Sequence, residues 1–140
     1  MTEQTDMINH PRHYEANRYS CEPADLTTML PHPFASAVEY ILRAPYKGTE
    51  LTDLRKAQWW LARAYDTEEF WNEDGDLRYE FTACWDETAF NAAMFSMSTK
   101  SKTVRALFYD ADITRSNVAD VIDMLEKRIE QLEATEKKNE

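Results

Sequence analysis

Glycine is nearly absent from this chain, because only Gly48 and Gly75 occur among its 140 residues. A glycine-rich loop that wraps a phosphate group is therefore not available, which excludes the P-loop and the dinucleotide-binding fingerprint. Cysteine is equally scarce. Cys21 and Cys84 stand far apart and form neither a CxxC pair nor a metal-ligand cluster, so we expect neither a disulfide scaffold nor a zinc ribbon.

Long hydrophobic runs are also missing from the sequence. No stretch approaches the roughly 20 apolar residues of a membrane span. The first ten residues, MTEQTDMINH, lack the basic and apolar regions of a signal peptide. We therefore expect a cytoplasmic protein with no membrane contact, and 140 residues suit a single domain.

Positive charge is in short supply, with 16 lysines and arginines against 26 aspartates and glutamates. The imbalance lies in residues 66–140, which carry nine basic and eighteen acidic residues, whereas residues 1–65 carry seven and eight. An acidic surface repels phosphate backbones, so direct nucleic-acid binding is disfavoured. A site for a small phosphate-bearing ligand is expected before residue 66.

Apolar residues at helical spacing predict a mainly α-helical, compact domain of about five helices. A short helix in CEPADLTTML is expected to end at Pro31 and Pro33, and a second helix covers about 34–44. A third helix begins at Thr49, a plausible N-cap, and carries a stripe of Leu51, Leu54, Leu61 and Tyr65. The short connection predicts that the second and third helices are antiparallel neighbours.

The middle of the chain, residues 66–115, is an acidic and aromatic-rich extension of this helical region. Residues 77–83 alternate apolar and polar side chains, which indicates a short β element. The following segment, CWDETAFNAAMFSMS, is typical of a helix. Its aromatic and methionine side chains, together with the preceding tryptophan, are expected in the core: Trp71, Trp85, Phe90, Met94, Phe95 and Met97.

The last predicted helix, residues 116–134, begins at Ser116 or Asn117 and is followed by a frayed tail over 135–140. Its apolar seam steps by four and three residues through Val118, Ile122, Leu125, Ile129 and Leu132. Two heptads suit packing onto its own domain as well as a coiled-coil dimer. Self-association through this helix or through the tryptophan-bearing face of Trp59 and Trp60 is therefore an open alternative.

Charged residues on the second and third helices form a candidate anion site. Arg43 would bind phosphate oxygens as a fork, while Lys47 and Lys56 would act as point charges. The alternative interpretation is a pair of ordinary surface ion pairs within the helices, Glu39 with Arg43 and Asp53 with Lys56. Each would contribute about 0.2–0.5 kcal/mol, and the spacing alone favours this alternative.

The segment HPRHY, residues 10–14, concentrates chemically active side chains ahead of the first helix. His10 and His13 titrate near neutral pH and suit acid–base chemistry, and Tyr14 or Tyr40 could stack on a nucleobase. In the alternative, His13 and Tyr14 fasten the N-terminal arm to the helices. A metal site is the weakest interpretation, because it needs further ligands such as His32, Glu22 and Asp25.

Four blocks in sequence carry a family resemblance: NHPRHY at 9–14, CEPADL at 21–26, AVEYILRAPYKG at 37–48 and DLRKAQWWL at 53–61. Together they resemble a family of small phage proteins described as nucleotide kinases, which includes the early nucleoside-monophosphate kinase of T-odd coliphages. The family pattern is similar to HPxHY, then KYxxRAxxK, then DLxKAxxYL. The resemblance covers about residues 9–65.

The resemblance implies a helical phage or prophage protein that works in the host cytoplasm as an oligomer. It implies binding or phosphorylation of a deoxynucleoside monophosphate, with a nucleoside triphosphate as phosphoryl donor and no assigned metal. The positions carried over are His10, His13 and Asp53 as catalytic residues, and Tyr14, Arg43, Lys47 and Lys56 as substrate-binding residues. Glu39 stands where the family tends to have lysine, which replaces a phosphate partner with a like charge.

The acidic second half supports a different hypothesis. A non-enzymatic phage protein could use it to occupy a basic surface on a host protein, for example a nucleic-acid-binding defence component, and inhibit that protein. Simple solubility is the more common reason for such a charge.

Overall fold

The computed structural model describes residues 21–46, 48–83, 85–109 and 112–139. These residues form a mainly helical domain with six α-helices, which confirms the predicted fold class. The helices are α1 (Pro23–Thr27), α2 (His32–Arg43), α3 (Glu50–Asp66), α4 (Glu87–Lys100), α5 (Lys102–Leu107) and α6 (Arg115–Lys138). Three single 3-10 turns lie at Ala44–Tyr46, Glu68–Phe70 and Tyr79–Phe81.

The antiparallel pair α2 and α3 forms the centre of the domain. The predicted apolar face of α2 is buried, and α3 packs against it through small and aliphatic side chains that permit a close approach. The buried residues are Phe34, Ala37, Val38 and Ile41 on α2, and Leu54, Ala57, Leu61 and Ala64 on α3. Leu51 is only half-buried and Tyr65 is exposed, so the predicted α3 stripe is wrong at its two ends.

Helix α6 packs along α3, and α5 fills the space beside it. The buried side chains of α6 are Val118, Val121, Leu125 and Ile129, with Ile122 and Leu132 half-buried at the edge. Polar pairs cross from α3 to α6 at the rim, including Arg55 Nη2 to Glu133 Oε1 at 2.9 Å. The apolar seam of α6 is therefore largely used within the chain.

The predicted boundaries of α1, α2 and α6 are corrected. Helix α1 ends at Thr27, and Pro31 and Pro33 instead open α2, because a proline in the first turn lacks only an N–H that would have no helical partner there. Helix α6 begins at Arg115, since the Thr114 side chain accepts from the Asn117 N–H at 3.0 Å. It continues to Lys138, so it includes most of the segment for which we expected a frayed tail.

The β element expected over residues 77–83 is not present. Leu77 forms an isolated bridge with Trp71, and Tyr79–Phe81 forms a 3-10 turn. The alternation fails at Tyr79, whose side chain is 80% exposed. A strand needs a neighbouring strand for its backbone groups, whereas here Leu77 donates its N–H to the Ile113 carbonyl of a loop.

The aromatic residues of the second half are only partly in the core. Trp71 lies 5.9 Å from Phe34 between ring centroids, and Trp85 stacks on Phe90 at 4.0 Å. Phe95, which we expected in the core, is 71% exposed because it lies on the outer face of α4. Among the helices described here, none is long and apolar enough to cross a membrane.

Candidate functional site

The turn between α2 and α3 brings Arg43 and Asp53 together. Arg43 lies in the last turn of α2 and Asp53 in the first turn of α3, because Gly48, at a φ of 70°, lets the chain reverse between them. Arg43 donates from Nη2 to Asp53 Oδ1 at 2.9 Å and from Nε to Oδ2 at 3.4 Å. The guanidinium therefore holds the carboxylate as a fork across two helices.

The carboxylate of Asp53 is buried and accepts three hydrogen bonds from Arg43 and Thr49. Its side chain is 2% exposed, and Oδ2 also accepts from the Thr49 hydroxyl at 3.0 Å. The hydrogen bond from Arg43 holds the pKa of Asp53 below its usual value against the opposing effect of burial, and the Thr49 hydroxyl lowers this pKa further. The same pair raises the pKa of Arg43. Asp53 is therefore a poor proton acceptor, which argues against a role as general base.

Two cationic side chains converge on the ring of Tyr40. Arg43 Cζ lies 5.0 Å from the ring centroid and Lys56 Nζ lies 5.5 Å from it. Arg43 is 46% exposed and Lys56 is exposed, so both cations remain accessible to a ligand. Two of the three cations of the predicted anion site, Arg43 and Lys56, thus lie against the Tyr40 ring, whereas the third, Lys47, lies outside the described residues. We call Tyr40, Arg43 and Lys56 the Tyr40 cluster.

The intrahelical ion pairs of the alternative interpretation are not formed. Arg43 binds Asp53 of the next helix, and among the described residues Glu39 has no ion-pair partner. Glu39 is exposed and acts on Arg43 only through a weak, longer-range attraction. Spacing along one helix could not reveal this choice, because it depends on the neighbouring helix.

Four of the predicted site residues, His10, His13, Tyr14 and Lys47, lie outside the described residues. His32, named as a candidate metal ligand, is exposed and packs edge-on against Trp60 with 4.9 Å between ring centroids. In the part of the chain that the structure describes, no group of three or more His, Cys, Asp or Glu side chains could hold a metal ion.

One contact of the site was missed by the sequence reasoning. Thr49 was predicted only as an N-cap, yet its hydroxyl binds the Asp53 carboxylate. The available signal was the four-residue spacing between Thr49 and Asp53, which places both on one side of the first turn of α3.

A groove of the described residues lies elsewhere. It has a volume of about 740 Å³ between α2, α3, α5 and α6, with Leu54 and Met124 in its walls and the ion pair of Glu50 and Arg128 among its lining residues. Neither Arg43, Asp53 nor Lys56 lines it. The Tyr40 cluster is therefore an exposed surface rather than an enclosed pocket.

No protein-family model, curated protein or solved structure matches this chain. The family resemblance of residues 9–65 accordingly stays a prediction.

Proposed function

We propose that this chain binds a nucleoside monophosphate, and that the Tyr40 cluster holds the phosphate group. The observation that supports the proposal is the convergence of Arg43 and Lys56 on one aromatic ring. Because Asp53 neutralises Arg43, the two cations and this carboxylate together carry a net charge of +1, which is a local positive site in a chain with a net charge of −10. Such a site attracts a compact dianion even when the rest of the surface repels it.

The bond between Arg43 and Asp53 prepares Arg43 for this role. Nε and Nη2 of Arg43 face Asp53, and among the described residues no acceptor is bound to Nη1. The carboxylate thus fixes the plane of the guanidinium while one nitrogen stays available for a phosphate oxygen. Lys56 supplies a second, mobile charge. Glu39 limits the affinity through repulsion.

Phosphoryl transfer is the further step of the proposal. A nucleoside triphosphate would serve as donor, and catalysis would depend on positioning and charge neutralisation. Asp53 is the weaker candidate for the base, because three hydrogen bonds from Arg43 and Thr49 stabilise its carboxylate. The acid–base residues of the proposal are therefore His10 and His13, which the family resemblance implies. Binding is the part of the function that the chemistry of the Tyr40 cluster supports directly.

The test is calorimetric titration of the full chain with a panel of deoxynucleoside monophosphates and inorganic phosphate. We expect Lys56→Gln to weaken binding by about tenfold, since it removes one charge-assisted contact. Lys127→Gln, which removes an exposed lysine on α6, is the matched control and should bind as the wild type does. Absence of binding to the wild-type chain at millimolar ligand would contradict the proposal. Incubation with a labelled triphosphate then tests the transfer step.

A second candidate function is the docking of a basic partner protein on α6. The inner carboxylates of this helix are occupied, since Glu126 accepts from Gln58 at 2.7 Å and Glu133 from Arg55 at 2.9 Å. The outer carboxylates Asp120, Asp123 and Glu130 are exposed and have no ion pair with any described residue. This outer acidic face is suited to the basic surface of a host protein that binds nucleic acid.

Salt dependence distinguishes this second function. The chain would be tested for association with basic DNA-binding proteins at about 0.1 M and about 1 M salt, where the Debye length falls from about 10 to about 3 Å. A triple variant, Asp120→Asn with Asp123→Asn and Glu130→Gln, should lose the interaction. Binding that persists in the triple variant would contradict this function.

A further inference from the structure

The outer face of α4 carries no charge. Between Glu87 and Lys100 at its two ends, the helix has no Asp, Glu, Lys or Arg, although 30% of all residues in the chain are charged. The other long helices α3 and α6 bear charged side chains along their exposed faces. A helix that lacks charge on its solvent side is typical of an element covered by another surface.

The exposed residues of this face form one stripe. Thr88, Ala92, Phe95 and Thr99 are spaced by four, three and four residues, so they share one side of the helix, with Asn91 at its edge. Phe95 projects from the middle of the stripe and is 71% exposed. The opposite side of α4 is buried in the core through Phe90, Ala93 and Met97, so the core provides no cover for Phe95.

We propose that this stripe binds the same stripe of a second copy of the chain, with the two α4 helices antiparallel about a two-fold axis. The axis would pass beside the centre of α4, between Ala93 and Met94. Phe95 then lies level with the partner subunit's Ala92, where a small side chain leaves room for the ring, and the contact occurs twice. Thr88 lies level with the partner subunit's Thr99, so the pairing is self-complementary along its length.

Charge selects a second copy in this orientation. Asp86 and Glu87 make the start of α4 negative, while Lys100 and Lys102 make the region after its end positive. An antiparallel pair brings the acidic end of one copy to the basic end of the other and aligns the two helix dipoles favourably. The rest of residues 66–140 carries an excess of acidic side chains, which repels the same region of a second copy. The neutral stripe is where two such molecules can meet.

The expected affinity follows from the size of the contact. Stable interfaces bury roughly 800 Å² per partner, and a single helix face with one large aromatic residue lies below that value. We therefore expect a dimer with a dissociation constant in the micromolar range, dominated by Phe95 as the central anchor.

Sedimentation of the full chain over a range of concentrations tests the proposal. The wild-type chain should dimerise, and Phe95→Glu should weaken the dimer by at least about tenfold, because it places a carboxylate in the contact. Tyr79→Glu is the matched control, since Tyr79 is 80% exposed and lies outside the stripe; it should dimerise as the wild type does. Thermal unfolding of each variant verifies that the fold is retained.

The orientation has its own test. Glu87→Lys and Lys100→Glu should each weaken self-association, because each brings like charges to both ends of the pair. A mixture of the two variants should recover association as a heterodimer, since each lysine then lies near a glutamate at both ends.

Three results would overturn the proposal: a wild-type chain that stays monomeric, a Phe95→Glu dimer of unchanged affinity, or a mixture with no recovery. A monomer would make the segment before Cys21 the next occupant to test, since Cys21 donates its N–H to Ser96 Oγ of α4 at 3.2 Å.

Discussion

Arg43 and Asp53, ten positions apart in the chain, form the one ion pair in the described residues that joins a half-exposed guanidinium to a buried carboxylate. The pair spans α2 and α3, with Nη2 and Oδ1 2.9 Å apart and exposed side-chain fractions of 46% and 2%. Burial without a partner would be costly for Asp53, so the bond sets the relative position of the two helices. It also orients the cation that the proposed phosphate site uses.

Replacing Asp53 should destabilise the fold. Asp53→Ala leaves the buried ends of Arg43 and Thr49 without their acceptor, so we expect the free energy of unfolding to fall by about 1–3 kcal/mol. Urea denaturation measures the change. Asp123→Ala, at an exposed position of α6, serves as control and should change the value by less than about 0.5 kcal/mol. An equal effect of the two substitutions would show that the pair does not stabilise the protein.

The same pair predicts a pH dependence. Because the pKa of Asp53 is lower in the folded state, its stabilising contribution is complete above the unfolded-state pKa of about 3.9 and is lost as the pH falls through the folded-state value. Acidification below about pH 4 should therefore destabilise the wild-type chain more steeply than Asp53→Asn, which has no carboxyl group to protonate. Urea denaturation at a series of pH values measures the free energy of unfolding of both chains. If the two plots of this free energy against pH run parallel, the prediction is wrong.

The start of α6 can be located by a pair of alanine substitutions. Thr114 Oγ1 accepts from the Asn117 N–H at 3.0 Å, so Thr114→Ala should lower the free energy of unfolding by about 1 kcal/mol. Ser116→Ala lies inside the helix at an exposed position and should be nearly neutral or slightly stabilising. Thermal unfolding of the two variants shows which residue caps α6. A larger loss of stability in Ser116→Ala than in Thr114→Ala would make Ser116 the cap instead.

The ionised carboxylate of Asp112 is expected to lower the stability of the folded chain at neutral pH. Partial burial raises its pKa, and the nearby carboxylate of Asp76 raises it further, against the bond from the Ile113 N–H at 2.8 Å. A folded-state pKa above the unfolded value means that stability falls as the pH rises through this interval. Asp112→Asn retains an acceptor for Ile113, so it should raise the melting temperature at pH 7. The gain should vanish below about pH 4, and a gain of equal size at both pH values would contradict this explanation.

Replacing Trp71 by another aromatic residue should lower the stability of the protein. Its Nε1–H donates to the Ala64 carbonyl at 3.0 Å in a buried position near the end of α3. Trp71→Phe removes this bond and part of the ring, so we expect a loss of about 1–3 kcal/mol in urea denaturation. Trp59→Phe is the control, because Trp59 is 56% exposed. Similar losses for both tryptophans would contradict a specific role of the buried bond.

Local patterns were reliable where one helix face decides the outcome. The buried face of α2 was predicted residue by residue, and Thr49 as the residue before α3 was confirmed. Periodicity succeeds there because the core lies on one side of the helix and selects the same residues that the spacing marks. It was less successful for α4, whose apolar residues lie on all sides, so the spacing could not tell that Phe95 faces outward.

The amino-acid sequence by itself determined the helical class, the α2 and α3 pair and the acidic character of the second half. These depend on neighbours within four residues, on a short connection and on composition, respectively. Only the tertiary structure decided that Arg43 binds Asp53 rather than Glu39 and that Leu77 bonds to a loop rather than to a strand. It alone placed Phe95 outside the core. The physical reason is the same in each case. A distant segment of the chain supplies the partner of the side chain or backbone group, and the spacing of nearby residues gives no information about that segment.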